Sequence, residues 1–261
     1  MGRLFSNCIH GDGVFFKHAR GTSDKSGKEF HIYHEIILFL DGDAEFITED
    51  LRMCLQPFTL IVIPRETYHQ MVIHGDQEAY YRCVLQFGDI PEFSGLIAES
   101  LREVQAVQAD GELRHLFDKL MTVAQTGVAY GSLLLKAVMV LLLDDLRTQK
   151  DVTDSGYHQN DTIRRAVEYI NRHLAQPLTI QEIAQACSIS PSSLSHIFQK
   201  ELYISVHKFI VKKRLMQAYH RIRAGQAATV AAEECGFQDY SGFYKQYKKA
   251  FGFPPSQKRN T

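Results

Sequence analysis

Two groups of residues in this 261-residue chain have the types and spacing to do chemistry. In the first half, His31, His34, Glu35 and His69 offer three imidazoles and a carboxylate, side chains that ligate metals or anchor polar ligands. In extended chain, residues i and i+3 point to opposite faces and residues i and i+4 share one. His31 and Glu35 are therefore expected on one face without His34, and His69 can join them from another strand. Contact with a small ligand, a metal site and plain structural hydrogen bonding all stay open for these three. His31, Glu35 and His69 are expected to bind a ligand, with no metal and no cofactor expected.

In the second half, Ser192, Ser193, Ser195, His196 and Gln199 are small or polar residues spaced along one helical segment. Tyr240, Ser241, Lys245 and Lys248 are spaced the same way along another. Such side chains, on a helix face free of core packing, can reach base edges in a DNA groove. Lys200, Lys208, Lys212, Lys213, Arg214, Lys248 and Lys249 add candidate phosphate contacts, which give affinity without sequence choice. Chemistry of other kinds is not signalled. There is no nucleophile elbow and no phosphate loop, and Gly11-Asp12-Gly13 reads as a turn. Cys8, Cys54, Cys83, Cys187 and Cys235 form no C-x-x-C pair, so neither a structural zinc nor a disulfide framework is expected. An enzyme is not expected.

The elements that must position these residues fall into two halves of opposite charge. Residues 1–149 carry 13 Lys+Arg against 21 Asp+Glu, a net of −8; residues 161–261 carry 15 against 7, a net of +8. Only the second half is suited to meet a polyanion. Residues from about 5 to 90 read as short strands: Phe30–Leu40 up to the turn Asp41-Gly42-Asp43, then Ala44–Ile47, Leu60–Ile63 and Tyr80–Phe87. From Pro91 onward the pattern becomes helical. Glu112–Ala124 has a single apolar stripe, whereas Gly131–Thr148 is apolar on more than one side. That second helix can face its own barrel and a partner subunit, or sit in the core. The polar stretch 150–160 reads as a linker between a domain at 1–149 and a domain at 161–261.

Beyond Asp161 the same helical unit occurs twice. Thr179 and Glu182 form a capping-box pattern ahead of Ile180, Ile183, Ala184 and Cys187. A turn at Ser188 follows, and then a second helix opens at Pro191. Forty-eight residues later, Ala228, Ala231, Ala232, Gly236 and Phe237 repeat the spacing of Ile180, Ile183, Ala184, Ser188 and Ile189. One long helix, Val206–Ala224, joins the two units. At about 1.5 Å per residue it can hold two recognition helices close to one DNA turn apart, with some DNA bending if the reach falls short.

From Ile163 to Arg259 these segments resemble the AraC/XylS family of transcription regulators. The resemblance rests on Leu178-Thr-Ile-Gln-Glu-Ile-Ala, Leu194-Ser-His-Ile-Phe-Gln-Lys, Lys213-Arg-Leu-Met-Gln-Ala, Gly236-Phe-Gln-Asp-Tyr-Ser-Gly-Phe and Phe251-Gly-Phe-Pro-Pro. It implies base readers at Ser192, Ser195, His196, Tyr240, Ser241 and Lys245. His31–Gly42 and Leu60–His69 resemble, with lower specificity, the cupin-like sensor domain of the same family. Cupin enzymes hold a metal with two histidines, a carboxylate and a later histidine, so the resemblance also keeps the metal reading in view. Five positions depart from the family pattern: Phe58, Ser188 and Tyr203 stand where glycine is usual, and Ala228 and Ala231 stand where larger aliphatics are usual.

The expected fold is multidomain: an N-terminal cupin-like β-barrel followed by α-helices, then an all-α domain with two helix-turn-helix units. The expected function is sequence-specific DNA binding by a cytoplasmic transcription regulator. The resemblance implies an activator, with double-stranded DNA, a second copy of the chain, RNA polymerase and a small effector as partners. Alternatives are a regulator whose barrel only dimerises or binds a protein, and a metal-dependent cupin enzyme fused to a DNA-binding domain.

Overall fold

The computed structural model describes residues 5–11, 13–21, 26–29, 31–88, 90–127, 129–147, 157–158 and 160–257. The chain forms two compact units, one ending at Tyr157 and one beginning at His158. Phe30 and most of the linker expected at 150–160 lie outside the described residues.

The first unit is built from β1 (Phe5–Gly11), β2 (Val14–Arg20), β3 (Ser26–Glu29), β4 (His34–Asp41), β5 (Ala44–Thr48), β6 (Leu51–Cys54), β7 (Thr59–Ile63), β8 (His69–Ile73), β9 (Tyr81–Phe87) and β10 (Gln105–Gln108). Helix α1 (Ser94–Ser100) precedes β10, and α2 (Gly111–Thr126) and α3 (Gly131–Leu146) follow it; β11 is the two-residue strand Tyr157–His158. One sheet runs β1-β2-β9-β4-β7-β10 and the other β11-β6-β5-β8-β3. Strand β10 is a departure from the sequence reading, which expected only helix after Pro91. Its Gln-Ala-Val-Gln pairs antiparallel with Thr59–Val62 of β7, a long-range partner that local pattern does not reveal.

Strand β4 is almost wholly buried because both of its faces are covered. Ile37 and Phe39 point between the sheets, onto Phe46, Ile61, Ile63 and Met71. Ile36 and Leu38 point the other way, into a core shared with Phe117, Leu120, Leu135, Met139 and Leu142 of the helices. Two-sided burial explains why the sequence reads there as a continuous apolar run. At the Asp41-Gly42-Asp43 turn, Gly42 has φ +118°, and a β-carbon on it would lie 3.1 Å from the Tyr80 Cα. Only glycine meets both demands.

The second unit contains α4 (Asp161–Arg172), α5 (Ile180–Ala186), α6 (Pro191–Glu201), α7 (Val206–Arg223), α8 (Ala228–Glu234) and α9 (Tyr240–Phe251). The Thr179–Glu182 capping box forms as its residues require, and Ser190 caps α6 with Pro191 in the first turn. Asp239 caps α9 by accepting from the backbone N–H groups of Ser241 and Gly242. Phe198 meets Phe209 edge to face, which seats α6 on the start of α7. Phe243 and Tyr247 of α9 bury against Leu215 and Ala218 of α7 and Ala232 and Cys235 around α8.

The three positions where glycine was expected do take left-handed backbone. Phe58, Ser188 and Tyr203 have φ of +67°, +58° and +53°. A side chain there costs about 1–2 kcal/mol relative to glycine's steric freedom.

Candidate nucleic-acid interface and ligand site

Helices α6 and α9 are the second helices of the two helix-turn-helix units. On α6, Ser192, Ser193, Ser195, His196 and Gln199 are all exposed, while Leu194 and Phe198 are buried. The hydroxyl groups are short and partly engaged locally. Ser190 Oγ lies 2.9 Å from Ser192 Oγ and 2.8 Å from Ser193 Oγ, and Ser195 donates to the Pro191 carbonyl at 3.0 Å. On α9, Tyr240, Ser241, Lys245 and Lys248 are exposed while Phe243 and Tyr247 are buried, and the Tyr240 ring lies 5.7 Å from that of Phe243. Tyr244, which the sequence reading passed over, is exposed on the same stripe. Its position four residues beyond Tyr240 was the signal that could have found it.

In the first unit the structure brings His31, Glu35 and His69 together. One ligand atom from each lies within 4.8 Å of the others, and all three residues are buried. The route differs from the expected one, because His31 precedes β4 and does not lie in it. Its ring is held by stacking on Tyr33 at 3.8 Å between centroids. His34 is turned away as expected: its Nδ1 accepts the Arg65 backbone N–H and its ring stacks on Phe87.

Glu35 is gripped from both sides. Oε1 accepts from Gln86 Nε2 at 2.6 Å, and Oε2 lies 3.4 Å from His31 Nε2 and 3.2 Å from His69 Nε2. Gln86, directly opposite Glu35 in the β4–β9 register, was not anticipated, because pairing across strands is not written in either strand alone. Burial pushes the Glu35 carboxyl up, but the two flanking imidazoles outweigh it and hold the group well below the usual carboxylate range.

The tautomers follow from the other ring nitrogens. His31 Nδ1 donates to the Tyr33 carbonyl at 2.8 Å and His69 Nδ1 donates to the Thr67 carbonyl at 3.1 Å, since a carbonyl can only accept. Each Nε2 therefore faces Glu35 either with a second proton or with a lone pair. His69 Nε2 is buried without an aligned hydrogen bond despite its nearness to Oε2. This trio can thus grip a hydrogen-bonding ligand or hold a cation, and backbone-tied Nδ1–H groups are the usual support of metal-ligating histidines. The space beside it is small: Phe39, Phe46, Ile61 and Ile63 between the sheets are each 0% exposed.

Comparison with known proteins decides what these two sites belong to. Residues 13–143 match the AraC-like ligand binding domain, and residues 183–261 match a helix-turn-helix domain. The chain belongs to the AraC/XylS family of transcription regulators. It is 32% identical over 199 residues to the arabinose operon regulatory protein of Escherichia coli, an alignment covering 75% of this chain and 65% of that protein. It is 25% identical over 237 residues to the HTH-type regulator YobQ of Bacillus subtilis, covering 88% of each. A solved structure of a probable AraC family regulator from Rhodopseudomonas palustris is 28% identical, covering 37% of this chain and 93% of that one, with a TM-score of 0.35.

The helix-turn-helix match at residues 183–261 lies in the helical unit, which carries the exposed stripes of α6 and α9. Arg214 differs from the other cations expected to contact phosphates. Its Nε donates to the Leu174 carbonyl at 2.9 Å and Nη2 to the Gln176 carbonyl at 2.6 Å, so the guanidinium is directed inward. Among the described residues, no helix is long and apolar enough to cross a membrane.

Proposed function

We propose that this chain is a cytoplasmic, effector-responsive transcription activator that binds DNA as a homodimer next to RNA polymerase. In this reading residues 1–149 bind the effector and dimerise, 150–160 link, and 161–261 bind DNA. The observation that carries it is the buried His31–Glu35–His69 trio inside the AraC-like ligand binding domain of a chain that also bears two helix-turn-helix units. Three convergent polar groups in an apolar interior are what a ligand site needs for orientation.

Dimerisation is supported by α3. Leu133 and Leu141 are 70% and 54% exposed, with Ala137 between them on the same stripe and Tyr130, 62% exposed, one turn before. Leu135, Val138, Met139 and Leu142 bury the opposite side in the unit's own core. A stripe of Leu133, Ala137 and Leu141 at helical spacing suits the same stripe of a second copy.

A second reading is favoured by one observation: the fully covered Phe39, Phe46, Ile61 and Ile63 leave little room between the sheets for an organic effector. In that reading the first unit only dimerises or binds a protein. A thermal-shift screen of the full chain against sugars, other small metabolites and divalent cations separates the two. A ligand that raises the melting temperature of wild type and not of Glu35→Gln supports the first reading. Absence of any shift favours the second.

Base reading by α9 has its own check. Lys245→Ala weakens binding to a DNA site selected by the protein more than binding to random DNA. Equal losses on both would make Lys245 a phosphate contact.

A further inference from the structure

Beside the Phe198–Phe209 contact of α6 with α7, the helical unit has a polar brace between its two halves. Helices α4, α5 and α6 pack on one another, and α8 and α9 pack on each other and on α7. Between the two sets lies a cleft of about 960 Å³, lined by Thr179 on one side and by Phe237, Asp239 and Tyr240 on the other. Arg214 lies in this cleft, midway along α7. Its two donors reach Leu174 and Gln176, in the turn that leads into α5. The turn of the second unit comes against the same group. A β-carbon on Gly236 would lie 3.0 Å from Arg214 Cζ and Nε and 3.1 Å from the Ala175 carbonyl oxygen.

Gly236 therefore has two reasons to be glycine. Its φ of +84° is one, but Ser188, at the equivalent turn of the first unit, manages φ +58° with a side chain. The close approach to Arg214 and Ala175 is the reason that belongs to Gly236 alone. A planar guanidinium with two fixed donors can bridge two carbonyls of one turn and present a flat face to a third group, which an ammonium cannot do.

From this geometry we propose that Arg214, with Gly236 closed against it, is a positioning residue that fixes the placement of α9 relative to α6, and so the DNA spacing the two units read together. The inference presupposes only that the helical unit binds duplex DNA. Each unit retains its own core without the brace, since Leu194, Phe198 and Phe209 serve the first and Leu215, Phe243 and Tyr247 the second. Loss of the brace leaves each recognition helix able to bind but no longer held at one separation. The second binding event then loses effective concentration.

The test uses the full-length protein and a duplex that wild type selects from random-sequence DNA. Two derivatives are made, one with half of the footprint scrambled and one with a single extra base pair between the halves. Wild type is expected to lose about tenfold or more in affinity on insertion. Arg214→Ala should bind the selected duplex about tenfold more weakly, the half-scrambled duplex within about twofold of wild type, and should tolerate the insertion within about twofold. Arg214→Lys, which keeps the charge but not the fork, should resemble Arg214→Ala. Gly236→Ala, which keeps Arg214 but presses a methyl group onto it, should relax the spacing preference too. An equal loss on intact and half-scrambled duplexes overturns the proposal. So does a fall of about one in the slope of log affinity against log salt for Arg214→Ala, which would mark a direct phosphate contact. If Arg214→Ala does not melt cooperatively, Arg214→Lys and Gly236→Ala decide: a wild-type spacing preference in both overturns the assignment.

Discussion

The Arg114 guanidinium lies 3.9 Å from the ring centroid of Phe58, a residue whose own backbone is left-handed at φ +67°. Phe58 thus pairs an unfavourable conformation with a favourable contact, and its carbonyl and N–H are both held, by Ala109 and Phe39. Ser188 has the same kind of backbone, but its side chain is exposed. The two sites should therefore respond oppositely to glycine. Ser188→Gly is expected to raise stability of the helical unit by about 0.5–1 kcal/mol, and Phe58→Gly to lower that of the first unit by about 1–2 kcal/mol. Denaturant titration of each variant checks the pair, and the same sign at both sites would contradict it.

Gln86 is expected to matter through Glu35. Replacing it with Leu removes the 2.6 Å hydrogen bond to a carboxylate whose residue is only 3% exposed. The first unit should lose about 1–3 kcal/mol. DNA affinity of a fragment containing only residues 161–261 cannot be touched by this change. Urea unfolding of the full chain, followed by tyrosine fluorescence, measures the loss.

The first unit should weaken in mild acid through His18. This residue is 2% exposed, its Nε2 lies 2.7 Å from the Tyr81 hydroxyl, and its Nδ1 is buried without a hydrogen-bond partner. Burial, helped by the nearby positive charge of Arg20, lowers its pKa below the ordinary 6.5. The unfolded chain then binds more protons than the folded one as pH falls below about 6.5, so stability is full above that value and is lost on going down. His18→Gln should flatten the melting temperature between pH 7 and pH 5 relative to wild type, about one pH unit to either side of 6. An unchanged slope would assign the acid sensitivity elsewhere.

Leu133→Glu with Leu141→Glu places charge on the exposed stripe of α3. Because both positions are open, the fold should change by no more than about 0.5 kcal/mol. Sedimentation should show wild type as a dimer and the double variant as a monomer. Affinity for paired half-sites should fall by about a hundredfold while single half-sites are bound as before. A monomeric wild type at micromolar concentration would remove the basis for the dimer.

Much of this architecture can be read from local pattern, and what cannot has a common cause. The 48-residue repeat, the capping box at Thr179 and the proline at 191 each report on a few neighbouring residues, and the helical unit is made mostly of such local contacts. The exposed faces of α6 and α9 follow from period alone. The β unit depends on pairings far apart in the chain. Strand β10 is defined by β7, and Gln86 by Glu35 across the sheet, and neither partner is visible nearby. The i, i+4 spacing predicts a strand that carries His31 beside Glu35, with His69 joining from another strand. The structure instead joins them by a turn whose own contacts set the ring, so the residues were legible and the geometry was not. Arg214 departs from expectation for a related reason: a solvated cation and a half-buried brace look alike until the carbonyls opposite are known.

The net of −8 over residues 1–149 against +8 over residues 161–261 bears on how the chain finds its site. A molecule so polarised experiences a torque in the field of a duplex, because one unit is drawn in while the other is pushed off. Encounters are thereby sorted before contact, and those that arrive with the helical unit leading are enriched. Raising the ionic strength should screen this repulsion along with the attraction, so the association rate should fall less steeply with salt than that of the basic half alone.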